Sequence, residues 1–96
     1  MPKKIFINKK VSDSYKILRV ICGPMRFKII VLLRQNKKGL NVTALGEALG
    51  ASLSRISHQL SILKKHKLIS GSGSNRETVY RLSDHRLRKY LNIILK

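Results

Sequence analysis

Gly46 and Gly50 stand four residues apart, and Ile56 follows the second glycine by six. No other feature of this chain constrains its fold as tightly. A small residue at Gly46 lets two helices touch, Gly50 permits a sharp turn between them, and Ile56 locks the second helix onto the first. The flanking residues agree. In "TALGEALG", Thr43 is the expected cap, Leu45 and Leu49 face inward, and Gly50 ends the helix. In "SLSRISHQLSILKKHKLIS", Ser52 is the expected cap, and Leu53, Ile56, Leu60 and Leu63 recur at helical spacing on a face that needs burial. The other face carries Ser54, Arg55, Ser57, His58, Gln59 and Ser61, and no acid lies between Ser52 and Ser70. The spacing predicts a helix-turn-helix whose second helix covers about residues 53–66.

The rest of the chain supplies flanking elements. Residues 1–10 read as a basic arm, and residues 11–96 as one domain. "VSDSYKILRVIC" places Val11, Tyr15, Leu18 and Cys22 on one helical stripe, with Ser12 available as its N-cap. Gly23-Pro24 is a break, and Pro24 suits the first position of the next helix. That helix, "PMRFKIIVLLRQN", gathers Met25, Ile29, Leu32 and Leu33 and ends toward Gly39. "GLNV" is a short extended piece. After Lys67 the period changes: Leu68-Ile69 and Thr78 to Leu82 flank a tip rich in Gly, Ser and Asn, which predicts a β-hairpin over about residues 70–82. "SDHRLRKYLNIILK" opens with Ser83 as a cap and Asp84 in the first turn, followed by the stripe Leu87, Tyr90, Leu91, Ile94 and Leu95. The order is that of a mainly α winged helix-turn-helix with a small β-hairpin.

Charge narrows the function classes. The chain holds 21 Lys and Arg against 4 Asp and Glu, a formal +17. Such a surface collects polyanions, nucleic acid first and an anionic membrane second. The four acids, Asp13, Glu47, Glu77 and Asp84, are scattered over different elements, with no phosphate loop or nucleophile-and-base spacing, so an enzyme is not expected, nor a cofactor. Cys22 is the one cysteine, which excludes an internal disulfide and fits a reducing compartment. No apolar run approaches the roughly 18–20 residues of a membrane span. The apolar centre Ile5 to Ile7 is too short for a secretory signal, so a cytoplasmic protein is expected.

In a helix-turn-helix the second helix enters the major groove with its first turns nearest the base edges. The expected reading surface is therefore Ser52, Ser54, Arg55, Ser57, His58 and Gln59, with Thr43 joining it from the preceding helix. Serine is short enough to let the backbone approach, Gln suits adenine, and Arg suits guanine. Ser57 and His58 have a competing role inside the domain. Lys64, Lys65 and Lys67 suit phosphate, which positions without specifying. At the hairpin tip, Asn75 tolerates a left-handed backbone, and Arg76 suits a narrow minor groove. The last stripe is more apolar than so small a domain needs, and the same face from two chains could bury it symmetrically. Tyr15, Leu18, Leu87, Tyr90, Leu91, Ile94 and Leu95 form that expected dimer surface; the alternatives are a core helix covered by Tyr15 and Leu18, or a basic helix lying on a membrane.

From about Leu18 to Leu87 the chain resembles the ArsR/SmtB family of small repressors, through "CGPMRFKIIVLL", "VTALGEALGASLSRISHQLSIL", "KLIS" and "RETVYRLSDHRL". The resemblance implies a homodimer joined through the first and last helices, binding double-stranded operator DNA, usually as an inverted repeat, and repressing transcription. Many members release DNA on binding metal. Where one such site has cysteines, this chain has Asn41 and Thr43; where another has Asp-x-His, it has Asp84 followed by Arg86, with His85 adjacent instead. Zinc needs three or four N, S or O ligands, so neither site is expected. Cys22 reads as a small core residue, with redox or soft-metal sensing as the alternative. A small-molecule or metal effector is thus not expected. The competing function is an architectural DNA-binding or RNA-binding winged helix, which the high charge favours.

Overall fold

Asn8 fixes where the first helix begins. Its Oδ1 accepts the Val11 amide at 2.9 Å, and its carbonyl accepts the Ser12 amide at 3.1 Å. The computed structural model describes residues 8–74, 77–83 and 85–95. Within them run α1 (Lys9–Ile21), α2 (Pro24–Gln35), α3 (Val42–Leu49), α4 (Leu53–Lys65), strands β1 (Ile69–Ser72) and β2 (Val79–Leu82), and α5 (His85–Ile94). The expected start at Ser12 is therefore one turn late. Asn caps as well as Ser does and comes first in the chain, so Lys9 and Lys10 of the expected arm are helical. Pro24 stands at the first turn of α2, as expected.

The core collects around α2. Ile29, Ile30 and Leu33 are fully buried there, joined by Leu45 of α3, by Ile56, Leu60 and Leu63 of α4, and by Leu68, Ile69 and Leu82 of the hairpin. Met25 and Leu32 are only partly buried, while Ile30, absent from the expected stripe, is central. The reason is that α2 packs against α1, α3, α4 and β2, so it is covered over a wider arc than one stripe. Tyr80 and Leu40 exchange amide bonds at 3.0 and 2.9 Å, fastening the extended piece before α3 to the hairpin. The hairpin itself is antiparallel, from Ile69 opposite Leu82 to Ser72 opposite Val79.

The helix pair is built much as its glycines require. Gly50 adopts the left-handed conformation, φ 62°, that ends α3. A Cβ on buried Gly46 would stand 3.0 Å from the Ala51 carbonyl oxygen, so the turn passes close over α3. Asn41, not Thr43, caps α3: its Oδ1 accepts the Ala44 amide at 2.8 Å. Thr43 falls inside the first turn and is exposed, because an equally good capping side chain precedes it by two residues. Ser52 caps α4 as expected, accepting the Arg55 amide at 3.2 Å. Leu53, expected on the buried face, is 54% exposed; at the first turn its side chain lies beside Gly46 of α3.

The end of α4 holds a feature with no obvious sequence signal. Lys67 takes a left-handed conformation, φ 60°, usually reserved for glycine. Its amide donates to the Lys64 carbonyl at 2.9 Å and the Leu68 amide to the Leu63 carbonyl at 3.1 Å, the pairing that closes a helix and sends the chain into a strand. Ser83 Oγ donates to the Lys67 carbonyl at 3.0 Å, clasping the base of the hairpin. The expected cap at Ser83 belongs to a junction that includes Asp84, which lies outside the described residues, as do Asn75 and Arg76.

Two stability measurements test these assignments. In urea unfolding, Asn41→Ala is expected to cost about 1 kcal/mol, while Thr43→Ala stays within about 0.5 kcal/mol. Lys67→Gly is expected to stabilise by about 0.5–1 kcal/mol, because glycine adopts the left-handed backbone without the Cβ penalty.

Candidate nucleic-acid interface

Helix α4 lies on the core through Ile56, Leu60 and Leu63, which fixes what its other sides present. Ser54, Arg55, Ser57, His58, Lys64 and Lys65 are all exposed, so the competing buried role for Ser57 and His58 does not apply. Ser54, Ser57, His58, Ser61 and Lys65 share the side opposite the core by their spacing. Ser61 belongs to this face and was not among the expected contacts. Its Oγ donates to the Ser57 carbonyl at 3.0 Å, which occupies its proton and keeps the surface low. Ser52 is exposed at the foot of the helix, with its oxygen engaged in the cap. Thr43 is exposed one element earlier. The hairpin-tip candidates, Asn75 and Arg76, lie outside the described residues.

Gln59 departs from the expectation. It is half-buried, and its Oε1 accepts a bond from Arg26 Nη1 at 3.0 Å. A glutamine that reads adenine needs both its carbonyl and its amide group free to meet the base edge. Here the carbonyl is already held by α2, because the position on α4 faces the α1–α2 junction and not the outer side. Arg26 itself was not a candidate: it is 33 residues from its partner, a separation at which no local pattern signals contact. Beside this pair, Lys16, Arg19, Val20, Arg26 and His66 line a cleft of about 290 Å³, which carries the positive charge around the C-terminal end of α4.

The apolar candidates divide. Leu87 and Leu91, expected in a dimer surface, are 1% and 0% exposed and belong to this chain's own core. Helix α5 therefore uses one side internally, while Tyr90, Ile93 and Ile94 stay exposed, the last two at 68% and 60%. Leu95 is half-buried. On α1, Val11, Tyr15 and Leu18 are exposed, and only Val20 and Ile21 are buried. Tyr15 and Leu18 thus do not cover α5 within the chain. Cys22 ends the same stripe and is exposed, which corrects its reading as a core residue: the α1 stripe faces away from the core. Val11, expected on the α1 stripe but not in the dimer surface, and Ile93, not expected, join these faces.

Residues 23–70, half of the chain, match the family described as bacterial regulatory protein, arsR family. The HTH-type transcriptional repressor SmtB of Mycobacterium tuberculosis is 35% identical over 72 residues, 75% of this chain and 52% of that protein. The chain thus aligns with about half the length of this relative. Among solved structures, HlyU from Vibrio cholerae superposes with a TM-score of 0.83 at 22% identity, covering 92% of this chain and 94% of that one. The homodimeric winged helix-turn-helix DNA-binding domain Mb0332 from Mycobacterium bovis superposes with a TM-score of 0.76 at 20% identity, covering 90% and 78%. These likenesses show the fold, a winged helix-turn-helix, and the matching family model is one of bacterial regulatory proteins. With its helix pair, its acid-free exposed face on α4 and its matching central segment, the chain belongs to the ArsR family of bacterial regulatory proteins.

Proposed function

We propose that this chain is a homodimeric operator-binding transcription regulator, acting as a repressor, which reads an inverted repeat with the N-terminal half of α4. The observation that carries the reading is the exposed face of Ser54, Arg55, Ser57 and His58, held outward by a fully buried Ile56 and flanked by Lys64 and Lys65. These are groups that meet base edges and phosphates, and no acid stands among them to repel the backbone. Arg55 and His58 are its base-reading candidates; Ser52, Ser54, Ser57 and Thr43 suit close approach to the backbone. Asn75 and Arg76 serve the wing in this reading.

Dimerisation follows from the exposed apolar stripes of α1 and α5. Val11, Tyr15, Leu18, Tyr90, Ile93 and Ile94 are too many large apolar side chains for water on elements this short. A second copy covers them symmetrically, and the SmtB and Mb0332 likenesses support a repressor and a homodimer respectively. In this reading DNA release does not run through the metal sites of the family. Asn41 Oδ1 is engaged by the Ala44 amide, and Thr43 offers no thiolate.

The second reading, a sequence-tolerant architectural or RNA-binding protein, is favoured by the +17 charge and by the engagement of Gln59. A selection from random duplexes at about 150 mM salt separates the two, because purely electrostatic binding fades with added salt. Recovery of an inverted repeat is expected; recovery of no motif would favour the architectural reading. On that repeat, Arg55→Ala is expected to cost about 1–3 kcal/mol and relax one position, whereas Lys64→Ala weakens all duplexes about equally. In sedimentation, Ile93→Asp combined with Tyr90→Asp is expected to yield a folded monomer at concentrations where the parent chain is dimeric.

A further inference from the structure

Arg26 stands in the first turn of α2, half-buried between the end of α1 and the flank of α4. Its Nε donates to the Val20 carbonyl at 2.6 Å, and its Nη1 donates to Gln59 Oε1 at 3.0 Å. Val20 lies in the last turn of α1, the helix with an exposed apolar stripe, and Gln59 lies midway along α4. One planar guanidinium therefore joins both. Gly23 belongs to the same arrangement: a Cβ there would stand 2.5 Å from Arg26 Nη2, 2.6 Å from Cζ and 2.9 Å from Nε. The Gly23 backbone, φ −63° and ψ 127°, is one that any residue adopts. A side chain at this position would therefore meet the guanidinium that lies over it and push that guanidinium from its place.

We propose that Arg26 is a positioning residue that clamps the reading helix α4 to the dimer helix α1 and so sets the spacing of half-sites the dimer accepts. The proposal rests on the dimeric, operator-reading function above. Two reading helices must meet half-sites about one helical turn apart, roughly 34–36 Å. The apolar stripe of α4 holds the helix onto the core, but burial has no direction, so it leaves small tilts and slides weakly opposed. Hydrogen bonds are directional, and a guanidinium offers several in one rigid plane, which suits a clamp between two helices. Gln59 serves in this scheme as the α4 half of the clamp, which accounts for its turning inward among residues that face out.

The test uses the full chain and the duplex recovered by selection. Affinities are measured for that duplex, for versions with one base pair added or removed between the half-sites, and for a version with one base pair changed inside a half-site. The parent chain is expected to disfavour altered spacing by about 10-fold or more, on the scale of a base mismatch. Arg26→Ala and Gly23→Ala, which removes or displaces the guanidinium, are both expected to reduce that spacing ratio to under about 3-fold while keeping the half-site ratio. Arg26→Lys falls between, and Lys28→Ala, at an exposed charge on the same helix, keeps both ratios. Unchanged spacing ratios in both Arg26→Ala and Gly23→Ala would overturn the proposal, and so would a change in the half-site ratio alone. If the parent chain selects no repeat, the operator-reading function falls first and this proposal with it; a repeat whose spacing the variants still discriminate overturns only the proposal.

Discussion

A chain with a formal charge of +17 repels itself, and with four acids it has few means of neutralising that charge internally. Cohesion rests on the seam where Ile56, Leu60 and Leu63 of α4 meet Ile29, Ile30 and Leu33 of α2, closed by Leu45. Each such side chain contributes on the order of 1.5–3 kcal/mol when fully buried. The seam also decides orientation. With one side of α4 held against α2, the short polar and cationic residues between have only outward directions left. Stability and display are thus the same constraint, applied to alternate positions of one helix.

The remaining surfaces divide by chemistry. Helix α4 is left with a cationic face that needs a polyanion, while α1 and α5 are left with apolar faces that need a cover. A regulator needs both needs met together, since two reading helices are useful only at a fixed separation. The inward Arg26 contact connects the two faces: it touches the last turn of α1 on one side and α4 on the other. That connection gives the half-buried Gln59 a role that its position in the middle of a polar stretch would not suggest.

How much of this was legible in the sequence follows the range of the interactions. Pro24, Gly50 and Ser52 act within a turn of their own positions, and their roles could be read directly. The helix-turn-helix and the hairpin were readable for the same reason, through spacing. Where two nearby residues could do one job the reading failed: Asn8 caps in place of Ser12, and Asn41 in place of Thr43. The stripes on α1 and α5 were found as stripes, but periodicity does not say which molecule covers them. Leu87 and Leu91 went to the chain's own core, and Cys22 to the surface. Least legible was the Arg26–Gln59 contact, where the partners are brought together only by the packing of α2 on α4.

The central claim is that the apolar faces of α1 and α5 bring two copies together so that their α4 helices sit one turn of DNA apart. The most direct measurement is the separation between spin labels placed on the two reading helices, using Ser54→Cys in a Cys22→Ser background so that each copy carries one label. The account predicts one dominant distance near 34–36 Å, within the reach of the label linkers, already present without DNA. No dipolar signal between copies, or a dominant distance far from one helical turn, would contradict it.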